Sequence, residues 1–198
     1  MRATGTGAFV TSRDQEKTGL WQMLKEGLAI AVNPGAILKN RLQVYPVSRA
    51  MAVSGSAFLL IFLQSGLDLH RTGQAGSVQV LGWGLIGLCF GTMGVGLLAT
   101  IAWLLSAPFG RQKTRDWVLR AFALAYSPAL IYGILGLGAN LMLGWNTAVA
   151  FGVTGFLWAI GPMFSTSQEM TENNLAASYV ITTVCGSLLL VGWGVLVS

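Results

Sequence analysis

VLGWGLIGLCFGTMGVGLLATIAWLLSA, residues 80–107, decides the fold of this chain because it contains no charged residue. A helix needs about 20 predominantly apolar residues to cross the hydrocarbon core of a bilayer. This run is longer than that minimum. We therefore expect a membrane-spanning helix that tilts or continues past the membrane interface.

Four further apolar runs lie around this stretch, at residues 47–67, 117–139, 141–164 and 175–197. Hydrophobic residues make up 54% of the 198 residues and charged residues only 10%, against roughly 25% charged in a typical soluble domain. The pattern predicts an all-α fold, a polytopic membrane helical bundle of about five transmembrane helices. Only Asn140 and its neighbours are available as a loop between the third and fourth runs, which predicts an antiparallel hairpin.

The chain is predicted to have two parts, a cytoplasmic tail over residues 1–46 and a five-span domain over residues 47–198. Within the tail, residues 20–31 carry apolar side chains at helical spacing. A helix of this length spans only about 18 Å, too short to cross the hydrocarbon core. We expect it to be an amphipathic helix lying on the membrane surface.

Lys and Arg are concentrated before the first run and between the second and third runs. The first loop has only Arg71, and the fourth loop and the C-terminus have no basic residue. Loops rich in Lys and Arg stay in the cytoplasm. This distribution predicts an integral protein of a bacterial inner membrane or another internal membrane, with its N-terminus cytoplasmic and its C-terminus on the opposite side.

Few residues of the predicted spans could support catalysis or ion transport. We find no good candidate for an intramembrane ionisable group beyond Arg120, and His70, the only histidine, is expected to be solvated or capping in the first loop. All seven carboxylates fall in predicted tails, loops or the surface helix: Asp14, Glu16, Glu26, Asp68, Asp116, Glu169 and Glu172. Pumps and proton relays use ionisable groups within the membrane. We therefore predict no catalytic, cofactor-binding or metal-ligating residues, and no enzymatic activity.

Glycines mark two of the predicted spans. Gly87 and Gly91 have GxxxG spacing in the second span, and Gly152 and Gly155 lie in the fourth. Small residues let helix backbones approach closely in lipid. These four glycines are candidates for a packing face inside the bundle or for a face that binds a partner.

A polar kink is predicted in the third span at Tyr126, Ser127 and Pro128. Pro128 removes one backbone hydrogen bond and bends the helix, and Ser127 can satisfy the carbonyl that is freed. Asn140 adds a polar group near the far end of the same span. Two interpretations are open, a structural bend or a small hydrophilic cavity beside the kink.

The chain resembles the Yip (Ypt-interacting protein) family in its small bacterial form. The resemblance rests on an N-terminal segment, residues 20–42, with Asn-Pro before a basic stretch, followed by five spans. The local matches are Ala-Tyr-Ser-Pro at 125–128, Gly-Ile-Leu-Gly-Leu at 133–137 and Trp158. The Asp-Leu-Tyr-Gly-Pro motif of the eukaryotic members is not in this sequence. The resemblance implies a membrane organiser or adaptor without established catalytic residues.

Three functions remain open from the sequence. The first is a non-catalytic scaffold or adaptor that organises membrane proteins or lipid. The second is an accessory structural subunit of a large respiratory or photosynthetic complex, and the third is a permease component for a neutral or lipid-like solute passing Pro128 and Asn140. We expect other integral membrane proteins and the lipid bilayer as partners, and no nucleic acid, because the basic residues sit where membrane topology requires them. No intrinsic cofactor is predicted; bound lipid is expected, and a pigment only within a larger complex.

Overall fold

The computed structural model describes residue 42, residues 45–109 and residues 113–197. This part of the chain is helical and contains no β-strand. Five of its helical segments are long and apolar enough to cross a membrane. The predicted all-α fold class with five spans is confirmed. The surface helix predicted for residues 20–31 lies outside the described residues.

The helices follow one another along the chain as five spans. Span 1 is α1, span 2 is α2 and α3 joined by a π-helical turn, span 3 is α4 and α5, span 4 is α6 and span 5 is α7. Their bounds are α1 Val47–Arg71, α2 Ser77–Cys89, the π turn Phe90–Gly94, α3 Val95–Leu105, α4 Arg115–Ala125, α5 Ser127–Leu143, α6 Ala148–Met170 and α7 Leu175–Val197. A short 3₁₀ turn, Ala107–Phe109, follows α3.

Helix α1 is the central element, since it packs against α2, α4, α5 and α6. Its aromatic side chains form the middle of the core. The Phe58 ring makes edge-on contacts with Phe90 and with Tyr126, each at 5.3 Å between ring centroids. Such edge-to-face pairs are favourable beyond the area they bury. Span 1 is therefore tied to spans 2 and 3 through one aromatic cluster.

The π turn in span 2 changes which neighbours the span contacts. A π turn adds one residue, so the helix after it is rotated by about 100° relative to an uninterrupted α-helix. Before the turn α2 packs mainly on α1, and after it α3 packs on α4 and α7. The turn also places the Phe90 ring against Phe58 and Phe62 of α1. One span can thus contact three others.

The hairpin between spans 3 and 4 is present, but its turn lies further along the chain than predicted. Asn140 is inside α5, the loop is residues 144–147, and α6 begins at Ala148 rather than at residue 141. The position of the turn follows from Gly144, whose φ of 69° is the left-handed conformation that ends helices. The prediction of a loop at Asn140 was wrong.

The turn between spans 4 and 5 is shorter than predicted. Helix α6 continues to Met170 and so includes Glu169, which the sequence placed in a loop. The chain then reverses over a few residues, with Glu172 and Asn173 at φ values of 53° and 63°. Asparagine tolerates this left-handed region better than most residues. Spans 4 and 5 are therefore adjacent in space as well as in sequence.

Candidate functional site: a polar cluster joining spans 1, 3 and 4

Gln64 begins the cluster from the interior of α1, where its side chain is fully buried. Its Nε2 donates to the Gly133 carbonyl oxygen of α5 at 2.9 Å and to its own helix at Leu60, 3.1 Å away. Its Oε1 accepts a hydrogen bond from Thr147 Oγ1 at 3.0 Å. Each of these groups of the amide has a partner, as burial in an apolar bundle requires. Gln64 thereby connects span 1 with span 3 and with the start of span 4.

Asp68 lies one turn beyond Gln64 on the same face of α1. Its Oδ1 accepts from Asn140 Nδ2 at 2.6 Å, and its Oδ2 accepts from the backbone N–H of Ala148 at 3.0 Å. Ala148 is the first residue of α6, so the carboxylate satisfies an amide that the helix itself leaves unpaired and complements the positive end of the helix dipole.

The prediction that every carboxylate lies outside the spans was wrong for Asp68, Asp116 and Glu169. Asp68 belongs to the segment Val47–Arg71 that is long and apolar enough to cross a membrane. Its charge is tolerated because two N–H donors of the span 3–span 4 hairpin bind it. Arg120 is therefore not the sole ionisable residue of the spans.

Arg71 is the last residue of α1 and donates hydrogen bonds to backbone carbonyls of the same hairpin. One guanidinium nitrogen, Nη1, donates to the Trp145 carbonyl oxygen at 2.9 Å, and Nη2 donates to the carbonyl oxygen of Asn140. The Asn140 carbonyl lies in the last turn of α5, where a cation is favoured by the helix dipole, and the Trp145 carbonyl lies in the loop that follows. Arg71 also lies 3.9 Å from the Asp68 carboxylate. Two residues of one helix therefore cap both helix ends of the hairpin.

Asn140 and Thr147 complete the cluster. Asn140 is fully buried, and its Nδ2 donates to Thr147 Oγ1 at 3.1 Å as well as to Asp68. Thr147 accepts this bond and donates its own proton to Gln64. Among the described residues Asn140 Oδ1 has no hydrogen-bond partner. The other hydrogen bonds form a chain in which each residue donates to the next, from Asn140 to Thr147, from Thr147 to Gln64 and from Gln64 to α5.

The structure does not bring Asn140 together with the predicted kink. Tyr126 lies between α4 and α5, and Pro128 lies in the first turn of α5, where its missing N–H costs no helical hydrogen bond within α5. Asn140 follows twelve residues after Pro128, about 18 Å along the helix. Asn140 belongs to the polar cluster of Gln64, Asp68, Arg71, Asn140 and Thr147, and the kink lies in the apolar core.

The role predicted for Ser127 is confirmed. Its Oγ donates to the Leu124 carbonyl oxygen at 2.6 Å, the carbonyl that Pro128 cannot reach without an N–H. Tyr126, Ser127 and Pro128 are all buried among the described residues. This packing favours the structural bend over a hydrophilic cavity.

The four candidate glycines lie at contacts inside the bundle. A Cβ on Gly87 would be 2.6 Å from the Phe62 Cβ, and one on Gly91 would be 2.9 Å from the Gly55 Cα, both in α1. In span 4, Gly155 lies against the Ala129 backbone, and Gly152 lies against Ile61 and Trp193. Each glycine therefore allows a close approach of two helices of this chain.

A second polar group, which we did not predict, joins spans 4 and 5. Thr182 Oγ1 donates to Ser167 Oγ at 3.1 Å, and the hydroxyls of Thr171 and Ser178 lie 2.9 Å apart. We call Ser167, Thr171, Ser178 and Thr182 the hydroxyl cluster. Its signal in the sequence is a Ser/Thr pair four residues apart on each side of a short turn, since such pairs share a helix face.

The polar cluster also had a local signal. Gln64 and Asp68 are four residues apart at the end of an apolar run, so they share one face of α1. Their partners Asn140 and Thr147 belong to another part of the chain, and only the fold brings them close. Sequence spacing can therefore indicate the polar stripe on span 1 without indicating what it binds.

Comparison of the chain with family models, with characterised proteins and with solved structures finds no match. The described residues contain no group of three or more His, Cys, Asp or Glu side chains that could hold a metal ion. The function is therefore argued from the geometry of the polar cluster and from the surfaces that the bundle exposes.

Proposed function

We propose that this chain is a non-catalytic integral membrane scaffold or adaptor that organises other membrane proteins or lipid, as the resemblance to the Yip family implies. The polar cluster carries the proposal. Gln64, Asp68 and Arg71 bond to two other spans of their own chain. Side chains used in this way fix the relative positions of three spans, and fixed spans are what a scaffold needs.

The exposed surfaces of the bundle support the same function. In spans 2 and 5 only 33% and 28% of the most apolar window is buried within the chain. Large apolar side chains such as Leu81, Leu85 and Met93 project from span 2 with 63–77% of their surface exposed. In a membrane these faces contact lipid or the helices of other proteins. Spans 1 and 3, with 56% and 61% buried, form the inner framework.

The proposed setting is a bacterial inner membrane or another internal membrane, with the N-terminus in the cytoplasm. The basic residues before span 1 and between spans 2 and 3 support this orientation. On this topology the polar cluster lies near the non-cytoplasmic end of spans 1, 3 and 4. The hydroxyl cluster lies near the cytoplasmic end of spans 4 and 5.

An accessory subunit of a large respiratory or photosynthetic complex is the second candidate. Trp145 and Trp158 favour it, since they expose 60% and 55% of their surface although tryptophan is a large apolar residue. Such rings could pack against cofactor-bearing neighbours. The permease alternative has less support, because Pro128 and Asn140 are both buried within the bundle.

Native isolation tests the proposal. The tagged chain is purified from membranes into lipid nanodiscs after mild crosslinking, and the co-purifying proteins are identified. A scaffold should recover a reproducible set of membrane proteins without a fixed pigment or haem stoichiometry. A stoichiometric pigment or haem complex would favour the accessory subunit instead, and recovery of the chain alone would contradict both.

A matched pair of variants links the partners to the polar cluster. Thr147→Val removes the hydroxyl that joins Asn140 to Gln64, whereas Thr154→Val removes a hydroxyl that bonds only to its own helix. If fixed spans are needed, Thr147→Val should recover fewer partners at equal abundance of the chain, and Thr154→Val should recover them all. Equal recovery by the two variants would separate the cluster from partner binding.

A further inference from the structure

The amide oxygen of Asn140 is a buried acceptor that the polar cluster leaves unbonded. Asn140 is 0% exposed, and among the described residues its Oδ1 has no hydrogen-bond partner. An amide oxygen held away from water in this way raises the free energy of the fold unless a donor binds it. Buried polar atoms of native proteins almost always have such a donor. The oxygen therefore marks a site for a group that donates a hydrogen bond.

The side-chain donors around this oxygen are already bonded to other acceptors. The two N–H groups of Gln64 donate to backbone carbonyls of α1 and α5, and the Thr147 hydroxyl donates to Gln64 Oε1. The two N–H groups of Asn140 itself donate to Asp68 and to Thr147. An amide has two N–H donors and a hydroxyl has one. No rotation of these side chains can supply Asn140 Oδ1 without breaking an existing bond.

Arg71 decides the charge that a ligand of this site can carry. Its two terminal nitrogens donate to the backbone carbonyls of Asn140 and Trp145. One of them also lies 3.9 Å from the Asp68 carboxylate and balances its negative charge. A further cation in the cluster would therefore meet repulsion from the guanidinium. A neutral donor would not.

We infer that the cluster binds a water molecule that donates one hydrogen bond to Asn140 Oδ1 and the other to the Asp68 carboxylate. Asp68 Oδ1 lies 2.6 Å from Asn140 Nδ2, and the oxygen and nitrogen of an amide are about 2.3 Å apart by covalent geometry. The two oxygens to be bridged are therefore at most about 4.9 Å apart. One water joins oxygens up to about 5.6 Å apart with two hydrogen bonds of ordinary length.

Asp68 gives this water access to the site and a second acceptor. Its side chain keeps 18% of its surface exposed, and it lies three residues before the end of α1. Each carboxylate oxygen accepts one bond from the span 3–span 4 hairpin, and a carboxylate can accept about four in all. The bound water adds a further link between α1 and α5, from residue 68 to residue 140.

Water contacts measured by NMR test the site. The chain is prepared with isotope-labelled asparagine in detergent micelles, and cross-relaxation from water is recorded at each side-chain amide. The Asn140 protons should show a long-lived water contact and should exchange slowly, because both are hydrogen bonded. Asn146 is the matched control, since it is exposed in the span 3–span 4 loop and should show only the brief contacts of surface water. The inference fails if Asn140 shows no long-lived contact.

Two variants identify the source of that signal. Thr147→Val removes a neighbouring hydroxyl that can relay magnetisation from water, and the contact at Asn140 should persist. Asp68→Leu removes the second acceptor of the water, and the contact should disappear. Loss of the contact in Thr147→Val would assign it to the hydroxyl, and its persistence in a folded Asp68→Leu chain would contradict the bridge. If Asp68→Leu does not fold, the wild type and Thr147→Val decide.

A sodium ion is the competing occupant, because backbone and side-chain oxygens also coordinate sodium in membrane proteins. Unfolding of the chain in sodium chloride and in choline chloride at equal ionic strength separates the two. Both this measurement and the NMR use the isolated chain, so they are independent of the partners that the scaffold function requires. Bound water predicts the same unfolding midpoint in both salts. A midpoint raised by sodium alone would show that a cation fills the site and would overturn the inference.

Discussion

Replacing Gly87 with alanine should destabilise the bundle although it adds only one methyl group. The new Cβ would lie 2.6 Å from the Phe62 Cβ and 2.9 Å from the Phe58 carbonyl carbon, and it would also meet the Phe58 carbonyl oxygen. Carbon atoms in contact are ordinarily about 3.5–4.0 Å apart. Because these atoms belong to the backbone and Cβ of α1, no side-chain rotation can relieve the contact. Helices α1 and α2 would have to separate by about 1 Å.

The size of the effect follows from a comparison within the same helix. Overpacking of this kind typically costs about 1–3 kcal/mol. Alanine also favours a helix over glycine by about 1 kcal/mol, which partly offsets this cost. Gly82→Ala has the same propensity gain, and its Cβ would meet no atom within 4 Å. The difference between the two variants therefore isolates the overpacking, about 1–3 kcal/mol in favour of Gly82→Ala.

Unfolding in mixed detergent micelles, followed by tryptophan fluorescence, measures this difference. Gly82→Ala should unfold at the same or a higher denaturant concentration than the wild type, and Gly87→Ala at a lower one. The larger change Gly87→Leu should also reduce abundance more than Cys89→Ala, whose side chain is exposed. Equal stability of the two alanine variants would refute the close contact of α1 with α2 at Gly87.

Three further predictions concern single residues. Ser127→Ala should lower the free energy of unfolding by about 0.6–1.5 kcal/mol in the same assay, because it leaves a buried carbonyl of α4 without a donor. Unchanged stability would mean that water or another group replaces the serine hydroxyl. Asp68→Asn should lower the free energy of unfolding by about 1–3 kcal/mol and speed hydrogen exchange at the first amide of α6. Unchanged exchange at this amide would contradict the prediction. Ser198→Cys should react with an impermeant thiol reagent in intact cells and Thr11→Cys should not, and the reverse pattern would overturn the proposed orientation.

Features that depend on neighbouring residues could be predicted from the sequence. Five spans follow from the length and composition of the apolar runs, because the thickness of the hydrocarbon core sets a minimum helix length. The Ser127 bond to Leu124 follows from the adjacent Pro128, since the missing N–H frees a carbonyl that a neighbouring hydroxyl can reach. Neither prediction needs any knowledge of how the spans are arranged.

The polar cluster could not be predicted in the same way because its bonds join distant parts of the chain. Asp68 binds a side chain 72 residues away and a backbone amide 80 residues away. From the sequence alone, a carboxylate at the end of an apolar run is interpreted as the start of a loop. The partners from the span 3–span 4 hairpin make the charge acceptable inside a helix.

The two clusters together attach both ends of span 4 to neighbouring spans. Thr147 and the amide of Ala148 attach the start of α6 to span 1 through the polar cluster. Near its other end, Ser167 and Thr171 attach α6 to span 5 through the hydroxyl cluster. Between these ends Gly152 and Gly155 pack against other helices of the chain, whereas a Cβ on Gly161 would meet no atom within 4 Å. Span 4 is therefore held near both ends by polar bonds and along its middle by close packing at small residues.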